Sequence, residues 1–562
     1  MPLSCNLCRG ILIEDHCIMD RRTAIKFLGA TIPTLFLGKF SAAHTYLGTV
    51  PFHPDWRSLE NYQVPDWFRN AKFGIWAHWG PQCQPERGDW YARGMYQEGS
   101  DQYQYHLEKY GHPSIFGFKD VIHQWKAENW NPEELMDLYK NAGAQYFMAL
   151  ANHHDNLDLY SSSHHQWNSV NVGPKKDIVG GWERAAKKRG LKFGVSVHAA
   201  HAWTWYETAQ RSDKAGKFAG VPYDGKLTKK DGVGKWWADY DPQELYAQDH
   251  EPSLDSKDDN TVHRQWHWDV ASGVSVPHKA YCENFKARTL ELMDNYKPDM
   301  VYFDDTVLPL YPISNVGLEI AADFYNKSMQ ANKGKVDVVI NGKILNEQQR
   351  KCLVWDIERG QSNTIEPQPW QTCTCIGSWH YDRRIYDNNH YKSAKTVIHM
   401  LIDVVSKNGN LLLSVPLRGD GSIDDRAKEV VEGIGSWMAI HKEAIIGTRP
   451  WHIFGEGPAQ EEAPTLHVQG FNEGKGKAFT GDDVRFTTKG NTVYAFIMGT
   501  TSGTQITIKS LGSSAPNSRK VKSVRILGYA DNIAYTQLDA ALQVTLPDDF
   551  IQNNIATVLE IA

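Results

Sequence analysis

Pro298-Asp299-Met300-Val301-Tyr302-Phe303-Asp304-Asp305 reads as a buried strand that stops on two carboxylates. Four large apolar side chains in a row fit a strand covered on both faces. Such a strand has no structural use for adjacent acids at its tip, because desolvating an unpaired carboxylate is costly. In a (β/α) barrel, side chains at the C-terminal strand ends line the active site. The doublet is therefore the expected centre of the chemistry.

Short β-branched or aromatic runs elsewhere share that texture: Phe73–His78, Tyr146–Ala151, Phe193–Val197, Val336–Ile340 and Leu411–Val415. Amphipathic stretches separate several of them, at Pro132–Ala142, Gly181–Arg189, Asn284–Asn295 and Leu318–Asn332. Strands spaced by helices predict parallel βα units. The fold class is thus α/β, with a (β/α)8-like barrel as catalytic domain over residues 44–445. A doubly wound sheet is the alternative, weakened because no Gly-rich turn follows the first strand.

The span 202–265 reads as an insertion, rich in Lys, Asp, Gly and Trp and with little periodicity. Loops of that length usually carry function or are mobile. Its lysines and Trp236-Trp237 offer a contact for a sulfated polysaccharide. From residue 446 to 562 the texture changes to short strand-like runs at 484–488, 492–497, 505–508 and 521–527, with Gly, Asn and Asp between them. That pattern predicts a C-terminal antiparallel β-sandwich.

The 562-residue chain carries 60 Lys and Arg against 66 Asp and Glu, a net charge of −6, with no basic block. It lacks the electrostatic footprint of a nucleic-acid binder. Its 20 Trp and 25 Tyr supply a large aromatic core, stacking platforms for sugars, or both. Of eight cysteines, Cys5 and Cys8 form a CxxC in a segment expected to be removed. Cys373 and Cys375 are two apart in a strand, too distant along an extended chain to bond each other readily. No Cys/His spacing fits a zinc finger, so neither a structural metal nor a cofactor is expected.

Residues 1–43 read as a signal segment of twin-arginine type. Arg21-Arg22 precedes the apolar stretch Phe27–Leu37 and then the small-residue site Ser41-Ala42-Ala43. That is the order of an export signal, with Met19 a possible true start. The apolar stretch is too short to span a bilayer. Export to a bacterial periplasm, without a membrane span, is the expectation.

Four strands end in polar groups. His78 follows the first, His153-His154-Asp155 the second, His198 the third and Asp304 the fourth. Metal-dependent barrel hydrolases also place His and Asp at strand ends. However, His78 is followed by Trp79-Gly80 rather than a second ligand, and adjacent His153 and His154 should point apart and chelate poorly. Glycoside hydrolysis fits better: two carboxylates flank the bond while His and Trp hold hydroxyls and sugar faces.

The segments Ala71–Gly80 with Trp90-Tyr91, Asn152–Asp155, Tyr302–Asp304 and Ser406–Leu413, in that order, resemble glycoside hydrolase family 29. The resemblance spans roughly residues 55–445. It implies a retaining α-L-fucosidase with a barrel and a C-terminal β-sandwich. It assigns Asp304 as nucleophile, although Asp305 stands where the family often has Gly. Strand alternation agrees, setting Asp304 on the face of Tyr302 and Asp305 on that of Phe303.

The resemblance implies an acid/base some tens of residues beyond the nucleophile in a variable loop, where Glu347, Glu358 and Glu366 are candidates. Glu358, just after the apolar Leu353-Val354-Trp355, is favoured. The resemblance further implies that His78, His153 and His154 bind ring hydroxyls. Trp90, Tyr91 and Trp379 would wall the apolar face around C5, with Tyr302 beside the nucleophile. The partner is then an α-L-fucosyl glycan. An α-L-galactosidase of the same family acting on sulfated algal galactan fragments, and a non-catalytic carbohydrate-binding protein, are the other readings. The sequence sets no oligomeric state.

Overall fold

The computed structural model describes residues 51–254, 266–461, 471–501, 504–552 and 554–562. The signal segment and residues 255–265 of the insertion lie outside the described residues. Eight parallel strands close into a barrel: β1 Phe73–Ala77, β2 Tyr146–Asn152, β3 Lys192–Val197, β4 Met300–Phe303, β5 Val339–Gly342, β6 Val354–Glu358, β7 Trp370–Cys375 and β8 Gly409–Ser414, with β8 pairing back onto β1. Apart from Lys192 and Glu358, every residue of these strands is buried. That explains their near-continuous apolar runs: each is covered by side chains inside the barrel and helices outside.

The helices begin where side chains can satisfy their first amides. Asn131 caps Pro132–Asn141, Asp177 caps Ile178–Lys188, Ser393 caps Ala394–Ser406 and Asp424 caps Asp425–His441. Helices Lys279–Tyr296 and Val316–Ala331 flank β4 in sequence. The strand expected at 336–340 lies three residues later, at β5. Asp337 instead sits 3.4 Å from Lys192 at the base of the barrel.

The insertion is folded rather than loose. Trp203, Trp205, Tyr206, Trp237, Leu245 and Tyr246 are all buried. The buried Asp224 carboxylate accepts from Tyr96 and Tyr246 hydroxyls at 2.6 and 2.5 Å and from Lys119 Nζ at 3.1 Å. Trp236 donates to Asp120 Oδ1 at 2.8 Å and stacks on His123. Trp236 and Trp237 are thus packing residues that tie the insertion to the body, which removes them as the expected polysaccharide contact.

Beyond the barrel, β9 Arg449–Glu456, β10 Val484–Lys489, β11 Thr492–Ile497, β13 Val524–Ile526 and β16 Thr557–Ile561 form one antiparallel sheet. A second contains β12 Gln505–Ile508, β14 Ala534–Gln537 and β15 Leu542–Thr545. Phe486, Ile506, Val544 and Leu559 share a core between them, as the predicted sandwich requires. The sandwich is joined to the barrel through Asp403 of helix Ala394–Ser406, which accepts from Lys407 at 2.6 Å and from Arg485 of β10 at 2.7 Å.

Candidate active site

The C-terminal rim of the barrel surrounds a cavity of about 540 Å³, a ligand-sized space. Its lining includes His78, Asp89, Trp90, His153, His198, Tyr302, Asp304, Lys343, Glu358 and Trp379. The structure therefore brings Asp304 and Glu358, from β4 and β6, to one space. Glu366 lies elsewhere, accepting from Ser362 at 2.5 Å. Glu347 is exposed and does not line the cavity.

Asp304 is fully engaged. Its Oδ2 accepts from His154 Nε2 and His198 Nδ1, both at 3.0 Å, and its Oδ1 accepts from Lys343 Nζ. Burial opposes ionisation here. The Lys343 ammonium and the two imidazole hydrogen bonds outweigh it and hold the carboxyl well below the usual carboxylate range. Glu358 behaves oppositely: burial pushes its carboxyl up, the Asp304 charge adds to this, and Lys343 only partly offsets it. Lys343 Nζ also donates to Glu358 Oε2 at 2.5 Å. Two oxygens that share one ammonium lie within roughly 6 Å of each other, twice a hydrogen-bond length.

The histidines are oriented by defined partners. Gln82 accepts from the Ala92 amide and donates to both Asp155 Oδ2 and His153 Nδ1. These three partners fix its amide, so His153 Nδ1 accepts and its proton sits on Nε2. Among the described residues neither nitrogen of the buried His78 has a hydrogen-bond partner, and burial drives its basicity well down, as it does for His153. Neutral imidazoles facing a cavity suit neutral hydroxyls.

By distance alone, His78, Asp89, His153 and His380 could gather round a cation, as could His153, His154 and His198. The His153 tautomer argues against the first set, since its Nε2 carries a proton rather than a free lone pair. His154 Nδ1 lies 2.7 Å from the His198 carbonyl and its Nε2 3.0 Å from Asp304 Oδ2, so both nitrogens are already engaged with protein oxygens.

Adjacent His153 and His154 nevertheless turn toward one site, against expectation, with ring centres 4.4 Å apart. A bulge precedes them, Leu150 pairing with Ser196 and Asn152 with Val197 so that Ala151 is extra, and the chain leaves the strand and turns at His154 and Asp155. Asn152 Oδ1 then accepts from the His198 and Ala199 amides, replacing the interrupted ladder.

Trp90 lines the cavity at φ 60°, ψ 22°, a conformation that costs a bulky residue about 1–3 kcal/mol. Trp379 stands opposite the barrel-floor Trp76, with ring centres 5.4 Å apart. Tyr91 is not a wall residue: it is fully buried and its hydroxyl bonds His106 Nδ1 at 2.8 Å. The strained turn at Trp90 points its neighbour into the core.

Sequence reasoning missed Lys343, Asp89, His380 and Trp266. Lys343 was findable as the residue just past a strand, had β5 been placed correctly. Asp89 accepts from His380 Nδ1 at 2.6 Å, a pairing across 291 residues that no local pattern signals. Trp266 lines the cavity, stacks on Trp90 at 6.2 Å and lies flat against His201 at 4.2 Å. His201 in turn lies 2.8 Å from the buried Asp305 Oδ1, outside hydrogen-bond alignment. The second acid of the doublet thus faces away from the cavity and supports its wall.

Two carboxylates of opposed acidity, set among donor imidazoles and indole walls at the C-terminal rim of a barrel, define a glycoside hydrolase. The chain belongs to the α-L-fucosidase family, glycoside hydrolase family 29: the family's catalytic-domain model matches residues 40–443 and the α-L-fucosidase C-terminal domain matches 477–562. Human tissue α-L-fucosidase is 25% identical over 522 residues, covering 91% of each chain. The rat tissue enzyme is 27% identical over 417 residues, covering 73% of this chain and 76% of its own. Among solved structures, a Thermotoga maritima α-fucosidase in complex with fucose superposes with a TM-score of 0.64 at 25% identity, covering 91% of this chain and all of the other.

Proposed function

We propose that this hydrolase releases terminal α-L-fucose from oligo- or polysaccharides with retention of configuration. Asp304 attacks the anomeric carbon and forms a glycosyl-enzyme. Protonated Glu358 gives its proton to the departing oxygen and then removes one from the water that frees the sugar. The observation that carries this reading is the opposed acidity of the two carboxyls around Lys343. An ionised nucleophile and a protonated acid coexist only when their environments separate their pKa values. Their shared ammonium also favours the retaining spacing of about 5–5.5 Å over the wider inverting one. His78 and His153 would bind ring hydroxyls, and Trp90 with Trp379 would wall the C5 side. His154 would act through Asp304.

The twin-arginine pattern supports export to the periplasm as part of the same proposal, with the catalytic domain at 44–445 and the sandwich at 446–562. Asp304→Ala should abolish turnover, and azide should restore it with formation of a glycosyl azide. Retained activity in Asp304→Ala, with loss in Asp305→Ala, would overturn the assignment. Aryl α-L-fucoside and α-L-galactoside assayed side by side decide whether the pocket requires a methyl at C5.

A further inference from the structure

A second cavity, of about 760 Å³, opens beside the first, between helix Ala394–Ser406 and the segment that leads into the sandwich. Arg359 and Phe471 line both cavities, so the two share a wall. Arg359 directly follows Glu358. A group that protonates the departing oxygen must stand on the leaving-group side of the bond. The shared wall therefore lies where the remainder of the glycan emerges.

The charge of this cavity is one-sided. Arg359, Lys392, Lys395 and Lys477 line it, against Asp403 and Glu473. Asp403 is already neutralised by Lys407 and Arg485, which lie outside the lining. Glu473 is shared between Arg359 at 3.1 Å and Lys392 at 2.8 Å, so this trio keeps one positive charge. Lys395 is exposed and adds a second.

Phe471 supplies an independent observation. The residue is 55% exposed at the border of the two cavities. An exposed phenyl adds little to a core, whereas its face can carry a sugar ring.

We propose that this cavity is a leaving-group subsite for an acidic sugar, one bearing a carboxylate or a sulfate, stacked on Phe471 and held by Arg359, Lys392 and Lys395. Both anions present the oxygens that guanidinium and ammonium groups bind most strongly. A neutral sugar would stack equally well but gain nothing from the charge. The inference rests on Asp304 and Glu358 being the reacting pair, because their order around the bond defines which side is the leaving-group side.

The test uses the full chain and three disaccharides of one linkage, with α-L-fucose on galactose, on galacturonate or on a galactose sulfate. An aryl α-L-fucoside is the reference. At low ionic strength, kcat/KM should be about tenfold higher for at least one acidic substrate than for the neutral one, and salt should erase the difference. Preference for galacturonate alone identifies a carboxylate site, and preference for the sulfate alone a sulfate site. Lys395→Glu should lower the acidic-to-neutral ratio about tenfold, and Phe471→Ala should raise KM for all three disaccharides.

Equal kcat/KM for the three substrates, with a ratio insensitive to Lys395→Glu, overturns the proposal. So does cleavage of the aryl fucoside alone. Failure on the aryl fucoside itself sinks the parent reading instead. In that event, equilibrium binding of galacturonate or galactose sulfate against galactose, with and without Lys395→Glu, still reads the subsite.

Discussion

The Lys343 ammonium donates to Asp304 Oδ1 while it also holds Glu358 Oε2. A single cation thereby couples the two carboxyls, and their opposed acidity arises because Asp304 also accepts from two imidazoles while burial and the Asp304 charge raise Glu358. Buried beside two acids, Lys343 is itself held firmly in its charged form: burial opposes the charge, but Asp304 and Glu358 more than offset it.

Lys343→Met should therefore act through proton affinity. Without the ammonium, Asp304 binds its proton more tightly, so the acid limb of the kcat/KM profile moves to higher pH. On that limb the loss should be about tenfold for each unit the limb moves, about 1.4 kcal/mol per unit. Lys343→Arg, which keeps the charge, should recover part of it. A pH–rate profile with an unmoved acid limb would contradict this.

Glu358→Gln should lower turnover by about 10²–10⁴-fold on substrates with poor leaving groups and far less on activated aryl fucosides. The alkaline limb of the pH profile reports loss of the Glu358 proton, so it should vanish in the variant. Persistence of that limb would move the acid role to another group.

The doublet and the histidine tips were legible because each follows an apolar strand directly. A polar residue at such a place stands out against its neighbours. Lys343 was not, since the polar Lys335 and Asp337 just before β5 blur where it begins. Tyr91 was misplaced because adjacency to Trp90 says nothing of a left-handed turn between them. Asp89, His380 and Trp266 meet through the tertiary fold, and only coordinates join residues so far apart in sequence.

Asp305→Asn tests the wall. Asp305 Oδ1 lies 2.8 Å from His201 Nε2, and the His201 ring lies between Trp266 and Trp268 with ring centres at 4.2 and 4.8 Å. Neutralising the acid should loosen Trp266 and raise KM for the fucoside about tenfold, roughly 1.4 kcal/mol, with kcat nearly unchanged. Tryptophan fluorescence should shift in parallel. A fall in kcat alone would place Asp305 in the chemistry instead.

Asp403→Ala should destabilise the protein by about 3–5 kcal/mol by leaving Lys407 and Arg485 as buried unpaired charges. Its effect on thermal unfolding should also depend on pH. Burial raises the Asp403 carboxyl, but Lys407 and Arg485 outweigh this and depress it. Its contribution is then present above the unfolded-state value and fades as pH falls through the folded one. The unfolding temperatures of variant and parent should converge at low pH.

EDTA should leave activity intact if the imidazoles serve hydroxyls, as the His153 tautomer implies. Loss of activity restored by added zinc would return those rings to a ligand role.

The extra residue at Ala151 has a reach beyond its own strand. A two-residue repeat can aim only every second side chain into a barrel mouth. β2 slips one position out of phase just before it ends, and the chain then turns at His154 and Asp155, so that consecutive imidazoles face one region, His153 on the cavity and His154 on Asp304. The phase of this strand thus works as a setting of the catalytic rim. Deleting a single residue from 146–152 would either remove the bulge or carry the later side chains one position along, bringing His154 to the place of His153 and His153 to that of Asn152.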